Sequence, residues 1–174
     1  KHFRHELFPA YKANRPPAPE GLVMQIEPLQ NLVRALGMKV LAYDIFKAEG
    51  LENENMKYVE MDELLANADF ISVHTPSIDG KPLINADTIA KMKDGAIVIN
   101  TSRGNNVDED ALLAALESGK LRGAGLDVFA EEPAKNHALY SHPHVSCTPH
   151  IGAQTAEAQK RVGAEIVDII KNFA

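Results

Sequence analysis

Residues 96–104 read Ala-Ile-Val-Ile-Asn-Thr-Ser-Arg-Gly. Four apolar residues in a row are too few for an ordinary helix and suit a strand buried on both faces. The run then breaks at once into polar residues and a glycine. Residues 86–92 upstream carry a helical pattern. Residues 108–117 downstream carry another, closed by Ser118-Gly119. A buried strand between two helical segments is the building block of a parallel sheet, because parallel neighbours need a crossover between them.

Working outward, the same unit recurs. Lys39–Tyr43 reads as a short strand ending at Asp44, Tyr58-Val59 as another, and 61–68 as a helix. Phe70–Val73 is a buried-type strand ending at His74-Thr75-Pro76. Gly123–Val128 is a glycine-bearing strand ending at Asp127, and His144–Cys147 a last strand ending at Thr148-Pro149-His150. An amphipathic helix over 153–172 finishes the chain. Toward the N-terminus, Pro28 suits a first helical turn, Leu29, Leu32, Val33 and Leu36 mark one helical face, and Gly37 is a natural stop. Residues 1–13 place Phe3, Leu7, Phe8 and Tyr11 at helical spacing, and the prolines of 14–20 read as a connector. The expected organisation is therefore an N-terminal helix and Pro-rich connector over 1–20, then one α/β domain over 21–174.

The chain has 174 residues, one domain's worth, with 45% hydrophobic and 24% charged residues, a globular balance. A net charge of −6 without a basic run argues against a nucleic-acid partner. No run of 18 apolar residues offers a membrane span, and no apolar leader core follows the first residues, so a cytoplasmic protein is expected. A single cysteine, Cys147, cannot form an internal disulfide and reads as a buried packing residue, with a reactive thiol as the alternative. His2, His5, His137, His142 and His144 read as ordinary surface histidines, without metal-ligand spacing, so no metal site is expected.

In parallel α/β sheets, ligands bind beyond the carboxyl ends of the strands. Polar, chemically able residues collect there: Asp44, His74-Thr75, Thr101-Ser102-Arg103, Asp127 with Glu132, and His150. Asp44 is either a turn aspartate or an acceptor for a ribose diol, in which case its charge would repel a 2′-phosphate and favour NAD over NADP. The planar fork of Arg103 suits a carboxylate, unless it is a plain surface arginine. His150 can exchange a proton near neutral pH if a carboxylate such as Glu132 holds its ring, unless it is an ordinary solvent-facing histidine.

Five stretches, in order, resemble the D-2-hydroxyacid dehydrogenases. They are Gly37-Met38-Lys39-Val40-Leu41-Ala42-Tyr43-Asp44, Val73-His74-Thr75-Pro76, Ile99–Leu112, Gly125–Pro133 and Thr148–Gln159. The resemblance runs from about Leu36 to Phe173. The Glu-Pro-Ala segment at 132–134 and the Thr-Ala-Glu-Ala-Gln ending at 155–159 are most similar to the family's phosphoglycerate-oxidising branch.

What this resemblance implies is a Rossmann-type doubly wound parallel sheet in three α/β/α layers, NAD as cofactor, and a small 2-hydroxy or 2-oxo acid as substrate. The substrate implied is 3-phosphoglycerate and its oxo acid, a step of serine biosynthesis. Arg103 would hold the carboxylate and polarise the carbonyl, His150 would exchange the hydroxyl proton, and Glu132 would pair with His150 and favour its protonated ring. Asp44 would bind the adenosine ribose, and Thr75, Pro76, Thr101, Ser102, Arg103, Asp127, His150 and Gly152 would line the cofactor site. A homodimer is implied too, with the final helix and 1–13 as contact surfaces.

The sequence departs from the family pattern in three ways. The glycine-rich loop of the dinucleotide fold is missing: Glu20–Leu29 reads Glu-Gly-Leu-Val-Met-Gln-Ile-Glu-Pro-Leu, with Gly21 alone. Val23 and Ile26 would hinder approach to a pyrophosphate, and Glu27 adds an anion. The strand before that loop is normally central, so the strand at 39–43 is expected to lose its link to the one at 70–73, unless Gly21–Ile26 fills the slot. Thirdly, the substrate domain is not recognisable. The alternative function is a catalytically disabled NAD-binding or partner-binding fragment of the same fold.

Overall fold

The structure is a computed structural model that describes residues 35–44, 47, 49–77, 80–152 and 154–173. The expected N-terminal helix, the connector and the Glu20–Leu29 stretch lie outside these residues. Among the described residues the strands pair with one another in parallel. Strand β1 (Val40–Ala42) pairs with β2 (Met56–Tyr58), while β3 (Phe70–Val73), β4 (Ala96–Asn100), β5 (Leu121–Leu126) and β6 (Val145–Cys147) form a second sheet in that order. Among the described residues no strand joins the two sheets, and the Gly21–Ile26 stretch that could fill the slot lies outside them.

Helices α1 (Met61–Asn67), α2 (Ala86–Lys91), α3 (Glu109–Glu117) and α4 (His137–Tyr140) alternate with these strands, and α5 (Ala156–Phe173) ends the chain. Local chemistry fixes where they begin. Asn85 caps α2 through bonds from the amides of Asp87 and Thr88, and Thr88 returns a bond to Asn85. The Asp108 side chain accepts from Asp110 and Ala111 to start α3. One face of the larger sheet carries Ile71, Val73, Val98, Ala124 and Leu126, packed with Leu65 of α1, Ile89 of α2, Leu112 and Leu116 of α3 and Leu139 of α4.

The opposite face differs from the expected burial. Strand β3 alternates, with Ile71 and Val73 buried but Phe70 45% exposed. On β4, Ile97 and Ile99 are half-buried on that face, in register with Phe70 and Ser72. Strand β5 starts two residues before the glycine where the pattern placed it. Leu121 is 1% exposed and pairs with Ala96, whereas Asp127 has already turned out of the ladder. The single turn of 3-10 helix at Gly104–Asn106 and the short α4 were not expected from periodicity.

Register decides what this fold positions. Val73 stands opposite Asn100, Asn100 opposite Leu126, and Leu126 opposite Cys147. The four strands therefore end level, and His74, Thr101, Asp127 and Thr148 leave the sheet along a single edge.

Candidate active site

Asp127 organises the last part of this edge. It is 5% exposed, and its Oδ1 accepts the Thr148 hydroxyl at 2.5 Å and the Ile151 amide at 3.0 Å, while Oδ2 accepts the Gly152 amide at 3.2 Å. Three donors on one buried carboxylate compensate its lost hydration. They also pin the 148–152 loop on both sides of His150. That residue has φ 51°, in the left-handed region where a non-glycine residue is uncommon. The bonds on either side hold the backbone there and turn the imidazole toward the 127–133 loop.

The ring meets Glu132, with Nδ1 of His150 2.6 Å from Oε2. The hydrogen bond from His150 lowers the Glu132 pKa, aided by the Phe129 amide and opposed by partial burial and the charge of Asp127. An ionised carboxylate only accepts, so Nδ1 carries the hydrogen and Nε2 is left for other chemistry. The expected Glu132–His150 pair is therefore formed. The other Glu132 oxygen accepts from the Phe129 amide at 3.3 Å, which ties the side chain to its own loop.

Arg103 comes to the edge on the 101–104 turn and is exposed, its Nη1 donating to the Ser102 carbonyl at 2.7 Å. The next residue explains the closeness of its loop to that of Glu132. A Cβ on Gly104 would lie 1.8 Å from the Phe129 carbonyl oxygen, so only glycine fits between the two loops. Glu109, in the first turn of α3, accepts the Ala130 amide at 2.8 Å and holds the same contact from the side.

The remaining predicted residues fall into two groups. Thr75, Ser102 and Arg103 are joined through Asn106 and Asn100. Pro76 follows Thr75 and is half-buried, and Gly152 is buried against Asp127. Asp44 stands apart, half-buried after β1 in the two-stranded sheet. The Thr101 hydroxyl oxygen is buried and has no hydrogen-bond partner among the described residues. A buried unsatisfied oxygen is costly and suits a site completed by a polar ligand. Together with the hydroxyl of Ser102, this polar set fits a dinucleotide lying along the edge.

Beside Thr75, burial pushes the His74 pKa down from 6.5 to about 4, which keeps the ring neutral. Sequence reasoning missed Asn100, Asn106, Glu109 and Thr148. The available signal was a polar residue closing an apolar run, as at Asn100 after Ile99. The reading of Cys147 as buried is corrected: the residue is exposed, because β6 is the edge strand and its pattern ends in two exposed positions.

The comparisons with known proteins agree with one another. Residues 27–152 match the sequence profile of the D-isomer specific 2-hydroxyacid dehydrogenase NAD binding domain. The chain is 49% identical over 140 residues to a hydroxypyruvate reductase of Thermotoga maritima, covering 78% of this chain and 45% of that protein. It is 43% identical over 143 residues to a D-3-phosphoglycerate dehydrogenase of Synechocystis, covering 81% of this chain and 26% of that protein. The chain thus spans less than half the length of these curated relatives. A crystal structure of D-lactate dehydrogenase from Aquifex aeolicus, complexed with NAD and lactic acid, superposes with a TM-score of 0.77 at 37% identity, over 84% of this chain and 49% of that one.

Proposed function

Since the chain belongs to the family of D-isomer specific 2-hydroxyacid dehydrogenases through their NAD-binding domain, we propose that it serves an oxidoreductase that interconverts a D-2-hydroxy acid and its 2-oxo acid. The observation that carries the proposal is the 2.6 Å pair of His150 with Glu132, at the same sheet edge as Arg103. A fixed cation beside an oriented imidazole is what oxidation of an α-hydroxy acid requires. The Arg103 guanidinium binds the substrate carboxylate and draws electron density from the neighbouring carbonyl. His150 accepts the hydroxyl proton at Nε2 during oxidation and returns it during reduction. Glu132 holds Nδ1, which fixes the ring and balances the charge it gains.

When bound, NAD supplies the nicotinamide that accepts or returns the hydride. Asp44 would take the ribose hydroxyls, and Thr75, Pro76, Thr101, Ser102, Asp127 and Gly152 would line the rest of the site. Residues 21–174 then act as the coenzyme domain, preceded over 1–20 by a helix and Pro-rich connector. The narrower reading, 3-phosphoglycerate as substrate, is supported by relatives named D-3-phosphoglycerate dehydrogenase. Relatives named hydroxypyruvate reductase support a shorter, unphosphorylated acid. The apolar residues exposed on α5 support a homodimer.

The test is an NADH titration followed by NADH consumption with glyoxylate, pyruvate, hydroxypyruvate and 3-phosphohydroxypyruvate. Saturable binding with turnover of at least one of these acids, lost in His150→Gln, is expected. Binding without turnover of any acid would favour a cofactor-binding role, and no binding at millimolar NADH would overturn the proposal.

A further inference from the structure

Resting on that reading of the sheet edge, we infer that Asn106 is a positioning residue: its buried carboxamide holds Thr75 and Ser102 in one arrangement, and its backbone amide holds the Arg103 carbonyl, before any ligand arrives. Asn106 is 1% exposed. Its Nδ2 donates to the Thr75 carbonyl at 2.6 Å and to the Ser102 hydroxyl at 3.0 Å, with the Thr75 hydroxyl at 3.3 Å. Its own amide donates to the Arg103 carbonyl at 3.1 Å, and its carbonyl accepts the amide of Ile84, a core residue, at 2.9 Å. One side chain thus bridges the ends of β3 and β4 while its backbone is anchored in the core.

The network runs in a single direction. The Ser102 amide must meet an oxygen, so Asn100 turns Oδ1 toward it at 3.1 Å. That oxygen also takes the only hydroxyl proton of Ser102 at 2.9 Å. The Ser102 oxygen is left to accept, which the Asn106 amide satisfies. Asn100 then presents Nδ2 to the Arg103 carbonyl at 2.9 Å. The Thr75 carbonyl, which can only accept, fixes the Asn106 carboxamide in turn. Backbone groups therefore dictate both carboxamide orientations, and neither can flip without orphaning a partner. The result is a preset hydroxyl at Ser102 and a preset carbonyl at Arg103, from which the guanidinium extends. Preorganisation of this kind removes an ordering cost from ligand binding.

The test compares wild type, Asn106→Leu and Asn106→Asp. Amide hydrogen exchange is read without ligand, and NADH affinity is read separately by fluorescence. In Asn106→Leu, exchange at Ser102 rises by about tenfold or more while the amides of Ile97–Ile99 hold their wild-type rates, as expected for local rather than global opening. NADH binding weakens by roughly tenfold, equivalent to the loss of one or two hydrogen bonds. Asn106→Asp, of equal size but unable to donate, weakens it further. Wild-type exchange at Ser102 in both variants would overturn the inference, and so would a uniform rise across β4, which marks a packing role. If wild type itself binds no NADH, the proposed function fails, and the exchange data still decide the role of Asn106.

Discussion

Replacing His74 with asparagine is expected to remove a built-in acid sensitivity. Burial lowers the His74 pKa from 6.5 to about 4, because a charged ring would lose its hydration. The unfolded chain gains a proton near its ordinary value, and the folded chain only near the lowered one. Between the two values the unfolded state binds more protons, so stability falls as the pH falls. Above about pH 7 the ring is neutral in both states and exerts no pull. The shift sets a ceiling of about 3 kcal/mol at 1.36 kcal/mol per unit. The loss is about 1 kcal/mol by roughly pH 5.5 and about 2 to 3 kcal/mol by roughly pH 4.5. For a chain of this size each kcal/mol moves Tm by about 2–4 °C. The assay is urea unfolding followed by circular dichroism at several pH values, for wild type and His74→Asn. The asparagine variant starts less stable near pH 7.5, because it fills less space. The gap should then close by the amounts given, since carboxylates common to both proteins cancel in the difference. A gap that stays constant within about 0.5 kcal/mol refutes the reasoning, because such scatter is ordinary for unrelated sites.

Other outcomes follow from the same geometry. Gly104→Ala must push the Phe129–Ala130 backbone away by more than an ångström, so it should cost about 1–3 kcal/mol and lower kcat/KM by tenfold or more, as read by urea unfolding and steady-state kinetics. Arg103→Lys loses the two-pronged grip on a carboxylate, so KM for the oxo acid should rise by roughly tenfold in steady-state kinetics. Asp127→Asn gives up the charge on which three donors converge, and a loss of about 2–3 kcal/mol is expected in chemical unfolding, with faster amide exchange at Ile151 and Gly152. Removing His150 as His150→Gln should lower kcat by about 10²–10⁴-fold, the usual share of a positioned acid or base.

The strands were legible where a longer apolar run stood alone, whereas the one expected at Tyr58-Val59 lies at Met56–Tyr58. Phe70–Val73 and Ala96–Asn100 have the predicted boundaries. Strand β5 shifted because two of its residues are glycines, which carry no side-chain pattern to mark an end. The Glu132–His150 pair was also legible, since both residues follow strands that end side by side. Asn106 was not, because its role depends on Thr75, 31 residues away, and no local pattern encodes that approach. Nor was the exposure of Cys147 readable from one strand alone: whether a strand lies at an edge is settled by its neighbours.

Helix α5 brings one more consequence. Its 18 residues carry Val162, Ile166, Val167, Ile169 and Ile170 on the surface, each about half exposed or more. A helix of this length, with no buried residue among those described, sits near the limit of what water alone supports. Its backbone hydrogens should therefore exchange through fraying rather than through global unfolding of the sheet. Calorimetry would then see little of α5 in the main transition, and whatever covers that stripe would announce itself as slow exchange confined to a single helix.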